Sequence, residues 1–583
     1  MHMNLCESRL RPQRNNTMIE VSNISLPLDA GLPGAHEQIR QILAKHLHIS
    51  SGDIIFYKLV RRSVDARKKH NVHFVATFAL DVSKDIELTL LSTGRIDGVI
   101  IKEHTPYVPY VPPEAKVVPQ HRPVIVGSGP AGLFAALTLA QAGLKPHVIE
   151  RGGNVDERAC DIEQLFSQGV LNEDSNVQFG EGGAGTYSDG KLSSGIKSPY
   201  IRHVLHTFVQ AGAPEEILWQ AKPHIGTDLL PEVIRNMRLR LVECGATFSF
   251  SCRVEEIVHN QGKVSGVQVL HLKTNEREFI ESNDIVLATG HSARHIFSHL
   301  NEQGFILQRK PFAMGVRIEH TQEFINEAQY GAACAHDALD AADYKMIAHL
   351  ANGKNVYTFC MCPGGEVVCG SSEQDGVCIN GASPHKRNLE NSNTALLVTI
   401  DEEDIEGSDI LAGVNMQRRL EQGAFESAGG AYRAPAMRVG DFLNEACARG
   451  YISHEDMPSE KMFEGIQFSA PKTSYKPGIT MLNLHDVLPV FMASSLAQGL
   501  LHFNKRMPGY AHPQALLIAP EARSTSPVRI LRYSETYQAV YRANTSVQTY
   551  LYPAGEGAGY AGGIMSAAVD GIKVAQALLA RYL

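Results

Sequence analysis

Four sets of residues in this sequence have types and spacing suited to chemistry. Cys360-Met361-Cys362 places two thiols two positions apart, ahead of Pro363-Gly364-Gly365. A thiolate there would attack a disulfide. Yet C-x-C spacing strains a bond between the two sulfurs, and no Lys, Arg or His flanks them to lower a thiol pKa. Read alone, the pair is first a structural one. His291 follows an Ala288-Thr289-Gly290 turn, where an imidazole would donate a proton to a bound molecule or cap the turn. Gly127, Gly129 and Gly132 stand at G-x-G-x-x-G spacing, with Pro130 and Ala131 between them and Glu150 23 positions after Gly127. The fourth set is FGEGGAGTYSDGKL, 179–192, with five glycines in fourteen residues. Such density suits a loop whose backbone N–H groups pack on a flat or anionic ligand. Phe179, Thr186, Tyr187 and Lys191 within it argue against a mere linker. No spacing supports a metal site.

The glycine set needs a particular scaffold, and the sequence supplies it. Val124-Ile125-Val126 is a β-branched strand, Ala131–Ala142 a helix closed by Gly143, and His147-Val148-Ile149 a second strand ending at Glu150. This is a βαβ dinucleotide fingerprint. Gly127 permits the tight turn, Gly129 lets the backbone approach a pyrophosphate at the helix N-terminus, and Gly132 lets helix and strand pack. Glu150 is placed to accept from a ribose hydroxyl. Two further formal matches fail on context. Polar residues instead of a strand precede Gly180, Gly182 and Gly185, and only 21 residues follow Gly557, Gly559 and Gly562. One such unit leaves no separate NAD(P)H domain.

The 583 residues suffice for two to four domains, and a formal charge of −8 gives no general reason to expect nucleic acid. Residues 1–17 read as a disordered leader without the apolar core of a secretory signal. The longest uncharged run, 124–144, is broken by four glycines and a proline, so no membrane span is expected and the cytoplasm is the default. Ten scattered cysteines without C-x-x-C read as mostly free thiols. The pattern predicts an α/β unit at 18–105, with a strand, a helix and two further strands. A basic cluster, Lys58, Arg61, Arg62, Arg67, Lys68, Lys69 and His70, sits at its strand junction and reads as a solvated hairpin tip, or else as an RNA-facing surface. A proline-rich linker, 106–123, follows. The nucleotide domain is predicted at 124–305, with Thr247–Ile257 as one strand. An inserted α+β segment is predicted at 306–490, and the nucleotide domain returns at 491–583.

The order of these landmarks resembles the glutathione-reductase-type FAD flavoproteins. GEGGAGTYSDGKL, ATGHSAR, PFAMGVRIEH, YTFCMCPGGEVV, SNTALLVT, SPVRI and PAGEGAGYAGGIMSAAVDG look like the uncharacterised FAD-dependent dehydrogenases of the NAD(FAD)-utilising type, over about residues 18 to 583. Two stretches depart from that pattern: His295 stands where an acid is expected, and GASPHKRN, 381–388, replaces an aromatic-rich stretch. The resemblance implies an FAD/NAD(P)-binding Rossmann-like fold with an inserted α+β substrate domain and a small N-terminal α/β domain. It implies that Gly127, Gly129, Pro130, Ala131 and Gly132 hold the pyrophosphate and Glu150, followed by Arg151, the adenosine ribose. Val254 would face the adenine edge, and Ala288, Thr289 and Gly290 would line the ADP channel. Gly182, Gly183, Thr186, Ser188 and Lys191 would pass near the flavin. Gly555 and Glu556 would face the ribityl chain, and Gly562, Gly563 and Ile564 the pyrimidine end.

A flavin carries the redox step, and the protein supplies orientation and tuning charge. The helix beginning at Gly563 would favour an anionic reduced ring by its dipole, with Lys191 or Arg529 adding a full charge. Arg529 reads equally well as an ordinary salt-bridge residue. The expected activity is an FAD-dependent oxidoreductase exchanging a hydride between flavin N5 and a small molecule; NAD(P)H is one candidate for a transient donor, and the sequence does not specify the donor. Candidate catalytic residues are Lys191, His291, Arg529, Cys360 and Cys362. The alternatives are an RNA-modifying flavoenzyme gripping tRNA with its N-terminal unit, and a non-catalytic flavin-bearing interaction protein. Substrate identity and oligomeric state are not written in the sequence.

Overall fold

The computed structural model describes residues 18–542 and 548–583. The leader expected at 1–17 lies outside them, as does Cys6. The chain divides into two compact units.

The smaller unit holds residues up to Val108 together with Leu218–Ala221 and Ala332–Asp340. Strands Ile19–Leu26, Ile54–Asp65, His73–Val82, Arg95–Ile96 and Val99–Glu103 form one antiparallel sheet. Helices His36–Leu47 and Lys84–Thr93 accompany it. Alternating Ile19, Val21, Phe74, Ala76, Phe78 and Leu80 turn inward to its core, the period-2 pattern of a half-buried sheet. One member of the basic cluster is not a solvated tip residue. The Arg62 guanidinium lies 4.6 Å from the Phe74 ring centre and 4.7 Å from that of Trp219, so its aromatic partners come from outside the cluster.

The larger unit is built on a five-stranded parallel sheet, in the order Leu551–Pro553, Ile285–Leu287, Val124–Val126, His147–Ile149, Thr247–Ser249. The strands Val124–Val126 and Ile285–Leu287 are buried throughout, as a parallel sheet covered on both faces demands. Helix Pro130–Gln141 packs on helix Ile564–Leu579 so closely that a Cβ at Gly571 would stand 2.1 Å from the Ala131 carbonyl oxygen. The stretch predicted as one strand, Thr247–Ile257, is two. Ser251 takes φ +53°, which ends Thr247–Ser249 in the parallel sheet and starts Cys252–Asn260 in a separate three-stranded meander.

The inserted segment is a seven-stranded sheet ordered Ile347–His349, Asn355–Cys362, Asn391–Ile400, Phe312–Thr321, Leu516–Glu521, Ala434–Arg438, Ile479–Met481. Helix Val490–Arg506 packs against three of its strands. Strand Leu516–Glu521 pairs inside it. This layer therefore runs past the boundary predicted at 490, through Glu521. No helix among the described residues is long and apolar enough to cross a membrane.

Candidate functional site

At the carboxyl ends of the parallel strands, where ligands bind in open α/β sheets, lies a cavity of about 360 Å³. One wall is backbone. Gly127 sits at φ +100°, and a Cβ there would meet the Ala288 carbonyl oxygen at 2.5 Å. At Gly132 a Cβ would stand 2.0 Å from the Gly127 carbonyl oxygen, so strand and helix demand glycine. Gly129 differs: its Cβ would meet only the Gly183 Cα, at 3.8 Å, and otherwise open cavity. The cradle thus has room at the one position where the pyrophosphate is expected.

The lining continues through Pro130, Ala131, Glu150, Arg151, Gly183, Ser188, Lys191, Val254, Ala288, Thr289, Gly290, Glu556, Gly562, Gly563 and Ile564. All of these were candidate residues by sequence. Gly182 and Thr186 line a separate small pocket instead, and Thr186 donates to the Glu181 carbonyl at 3.0 Å. Gly555 is held by its N–H to Asp570, at 2.8 Å. Arg529 does not line the cavity. Its Nε donates to the Gly559 carbonyl at 3.3 Å, and its guanidinium lies 5.2 Å from the Tyr560 ring centre. Among the described residues Arg529 forms no salt bridge.

Glu150 has more work than the sequence assigns it. Its Oε2 accepts from the Ser128 N–H at 2.9 Å and the Ser128 hydroxyl at 2.7 Å. Its Oε1 accepts from the N–H groups of Gly152 at 3.0 Å and Gly180 at 3.1 Å. The carboxylate ties the glycine turn to the 179–192 loop, and a ribose hydroxyl would share an oxygen already engaged. Arg151 donates to Asp174 at 2.5 Å and lies 4.0 Å from the Phe179 ring centre.

The opposite wall is made of side chains: Phe359, Cys360 and Glu521 from the seven-stranded layer, Asn380 from strand Ile379–Ala382 of a two-stranded sheet, and Arg523 and Ser524 from the chain after Leu516–Glu521. Arg317, fully buried behind it, donates to Glu521 at 2.5 and 3.2 Å and to Asn380 at 3.1 Å. Arg523 donates to Glu421 at 2.8 and 2.7 Å, and Arg294 shares that carboxylate. Charges this deep persist only when paired at several points. The sequence reading missed Glu521, Arg523, Asn380, Phe359 and Ser524. Their partners lie a hundred or more positions away for both arginine pairs, and no local spacing signals such a contact.

One expectation about protons changes. His291 lines the cavity and is mostly shielded from solvent, and that shielding, followed by the charges of Arg523, Arg294 and Lys310, pulls its pKa down to about 3. It is a neutral imidazole at neutral pH and holds no ionic proton to donate. Its Nε2 faces the Glu556 carboxyl at 3.6 Å. Burial raises that carboxyl to about 7, against the pull of Lys310, so Glu556 is the group here that takes and releases a proton near neutrality.

The expectation about the cysteines also changes, because a cation does stand beside them. Lys191 Nζ lies 3.8 Å from the sulfur of Cys360 and 3.8 Å from that of Cys362. Cys360 lines the cavity and Cys362 does not. All nine described cysteines are free.

Fold and cradle define a dinucleotide-binding oxidoreductase scaffold, and comparison with known proteins narrows it. Residues 121–329 match the pyridine nucleotide-disulphide oxidoreductase family, 311–524 the C-terminal domain-like part of FAD-dependent proteins, and 18–81 a domain of unknown function. An uncharacterised protein of Clostridium beijerinckii is 40% identical over 569 residues, covering 97% of this chain and 99% of that protein. The chain belongs to one family with it. It has the FAD/NAD(P)-binding fold, and its cofactor is FAD. Solved structures are more remote. A geranylgeranyl bacteriochlorophyll reductase-like protein of Thermoplasma acidophilum is 12% identical over 78% of this chain and 77% of its own, with a TM-score of 0.33. The FAD-complexed glycerol-3-phosphate dehydrogenase of Bacillus halodurans is 12% identical over 48% of each chain, with a TM-score of 0.25. Likenesses this weak carry no argument.

Proposed function

We propose that this FAD-dependent oxidoreductase exchanges a hydride between flavin N5 and a small molecule bound against the side-chain wall of the cavity. The observation that carries this reading is the contrast between the two walls. The glycine cradle accepts a long, flat, anionic cofactor and offers it few reactive groups. The facing wall crowds Cys360, Asn380, Glu521 and Arg523 onto the other side, with Lys191 of the glycine loop reaching the Cys360 sulfur, as orientation of a polar substrate requires.

FAD supplies the two-electron chemistry when bound. Gly127 to Ala131 would hold its pyrophosphate, and the N-terminus of helix Ile564–Leu579 would stabilise negative charge on the reduced ring. Glu556 would hold or release the proton that accompanies the hydride. Arg523 and Glu521 are fixed by Glu421 and Arg317, so they orient a substrate without rearranging.

The visible spectrum of the purified protein, followed by anaerobic addition of NADH or NADPH, tests this. Flavin bands that bleach within seconds make a pyridine nucleotide the donor. A yellow protein that neither nucleotide bleaches points to a donor protein or to reduction by substrate itself. A colourless protein that cannot be reconstituted with FAD sinks the proposal.

A further inference from the structure

Behind the side-chain wall lies a group of charges that does not cancel. Lys191 Nζ is 2.8 Å from Asp189, and Arg387 donates to the same carboxylate at 3.1 Å. Arg317 holds Glu521 at two points and donates to the Cys360 carbonyl at 3.4 Å. In this contact group three cations meet two carboxylates, among the described residues. Asp189, Glu521 and Arg317 are buried, and a buried charge is kept only where something of opposite sign meets it. The groups beside Lys191 that can take further negative charge are the two thiols, each 3.8 Å from its Nζ, and of these Cys360 lines the cavity. Cys360 also sits at φ +44°, at the irregular pairing between Phe359 and Cys362. Backbone strain of this kind in a non-glycine residue concentrates at functional positions.

We propose that Cys360 is a nucleophilic thiolate, held by Lys191 and open to the cavity, and that the site takes a small molecule with a soft electrophilic centre. This deepens the flavin reading above by naming a substrate class, and rests on it. A hydrogen bond with Cys362, then the charges of Lys191 and Arg317, hold the Cys360 thiol well below its ordinary value, while Cys362 is pushed up. Lys191 is itself raised, because the two sulfurs and Asp189 outweigh its burial. Toward a disulfide, the Cys360 sulfur forms one S–S bond as the substrate's S–S bond breaks, and the departing thiolate takes a proton from water. Toward an alkene conjugated to a carbonyl, it forms an S–C bond, and the alkene's electron pair takes a proton from water.

The charges around Cys360 come from several elements: Asp189 and Lys191 from the glycine loop, Arg317 and Glu521 from strands, Arg387 from the 383–390 loop, and Glu556 from the turn after Leu551–Pro553. Tyr344 is close to Cys362, and its burial keeps it neutral. Burial raises the Glu556 carboxyl to about 7, so Glu556→Gln serves as a control.

The test is alkylation of the full-length protein by iodoacetamide at pH 6.5 and 8.5, read site by site by mass spectrometry. Cys160 is exposed and serves as the reference thiol in the same molecule. An ordinary thiol near pKa 8.5 slows about 50-fold between those pH values. Cys360 is expected to slow less than about threefold, in wild type and in Glu556→Gln. Lys191→Met should bring Cys360 onto the Cys160 ratio, while Lys191→Arg keeps it apart. A Cys360 that follows Cys160, that is not alkylated at all, or that ignores Lys191→Met overturns the proposal. If Lys191→Met fails to fold, the wild-type ratio decides alone.

Cystamine and acrylamide then separate the two electrophile classes. A cystamine adduct is removed by a reductant and an acrylamide adduct is not; reaction with neither overturns the substrate class. Flavin absorbance of the same samples keeps the two readings apart. A colourless protein with fast Cys360 overturns the flavin reading, and a yellow one with ordinary Cys360 overturns this one.

Discussion

The two walls of the cavity are built by opposite means. One is backbone: glycines with no side chain at a turn, a helix start and a loop. Its specificity lies in what is missing, and each missing Cβ is written in the sequence as a letter. The other wall is side chain: Arg317 on Glu521, Arg523 and Arg294 on Glu421, Lys191 on two sulfurs. Its specificity lies in pairings across long stretches of chain. A backbone wall fails when an atom is added, and a side-chain wall fails when a partner is removed.

The sharpest break of this contrast is Gly129→Val. A Cβ at 129 meets ordinary space in the protein, so folding survives while the cradle is filled. Overpacking of about 1–3 kcal/mol weakens flavin binding about ten- to a hundredfold. A Gly129→Val protein that purified with full flavin occupancy would refute the cradle assignment.

Next comes removal of a partner. Arg317→Met leaves Glu521 buried without its cation and should cost about 3–5 kcal/mol in a denaturant melt. The double variant Arg317→Met/Glu521→Leu should recover part of that loss. Equal destabilisation by the single and double variants would show that the pair does not act as a unit.

Smaller is the pH effect of Glu556. Its carboxyl is raised from 4.5 to about 7, so the folded protein binds a proton that the unfolded chain has released between those values. Stability therefore falls as pH rises from about 4.5 to about 7, then levels. Glu556→Gln should remove that fall, on the order of 2 kcal/mol. Melts whose pH dependence is unchanged by the substitution would count against a proton-holding Glu556.

Smallest is His291→Gln. An imidazole near 3 does not titrate between pH 5 and 8, so flavin reduction should keep the shape of its pH profile there. A missing limb in that range would return His291 to the acid–base role.

Legibility in the sequence follows the same division. The βαβ unit was readable because each of its parts is local: β-branched Val124-Ile125-Val126, three glycines, an apolar helix, and an acid at fixed distance. The break between Ser249 and Cys252 was not, because continuous alternation hides the single left-handed residue, Ser251, that changes sheets. Nor was the outer end of the inserted layer, since Leu516–Glu521 is an apolar run with no mark of which sheet it joins. Lys191 was not legible as a partner of the cysteines, because no cation flanks them and this one arrives from 169 positions away.

The closeness of helix Ile564–Leu579 to helix Pro130–Gln141 has a consequence in time. More than four hundred residues separate Gly127 from Gly562, and at about 5–20 residues per second the ribosome needs on the order of half a minute to cover them. Throughout that interval the nascent first helix, apolar along most of its length, waits for a partner not yet made. The cavity closes only when the late helix arrives, so cofactor capture comes at the end of synthesis, and early release of the chain would leave an apolar helix uncovered.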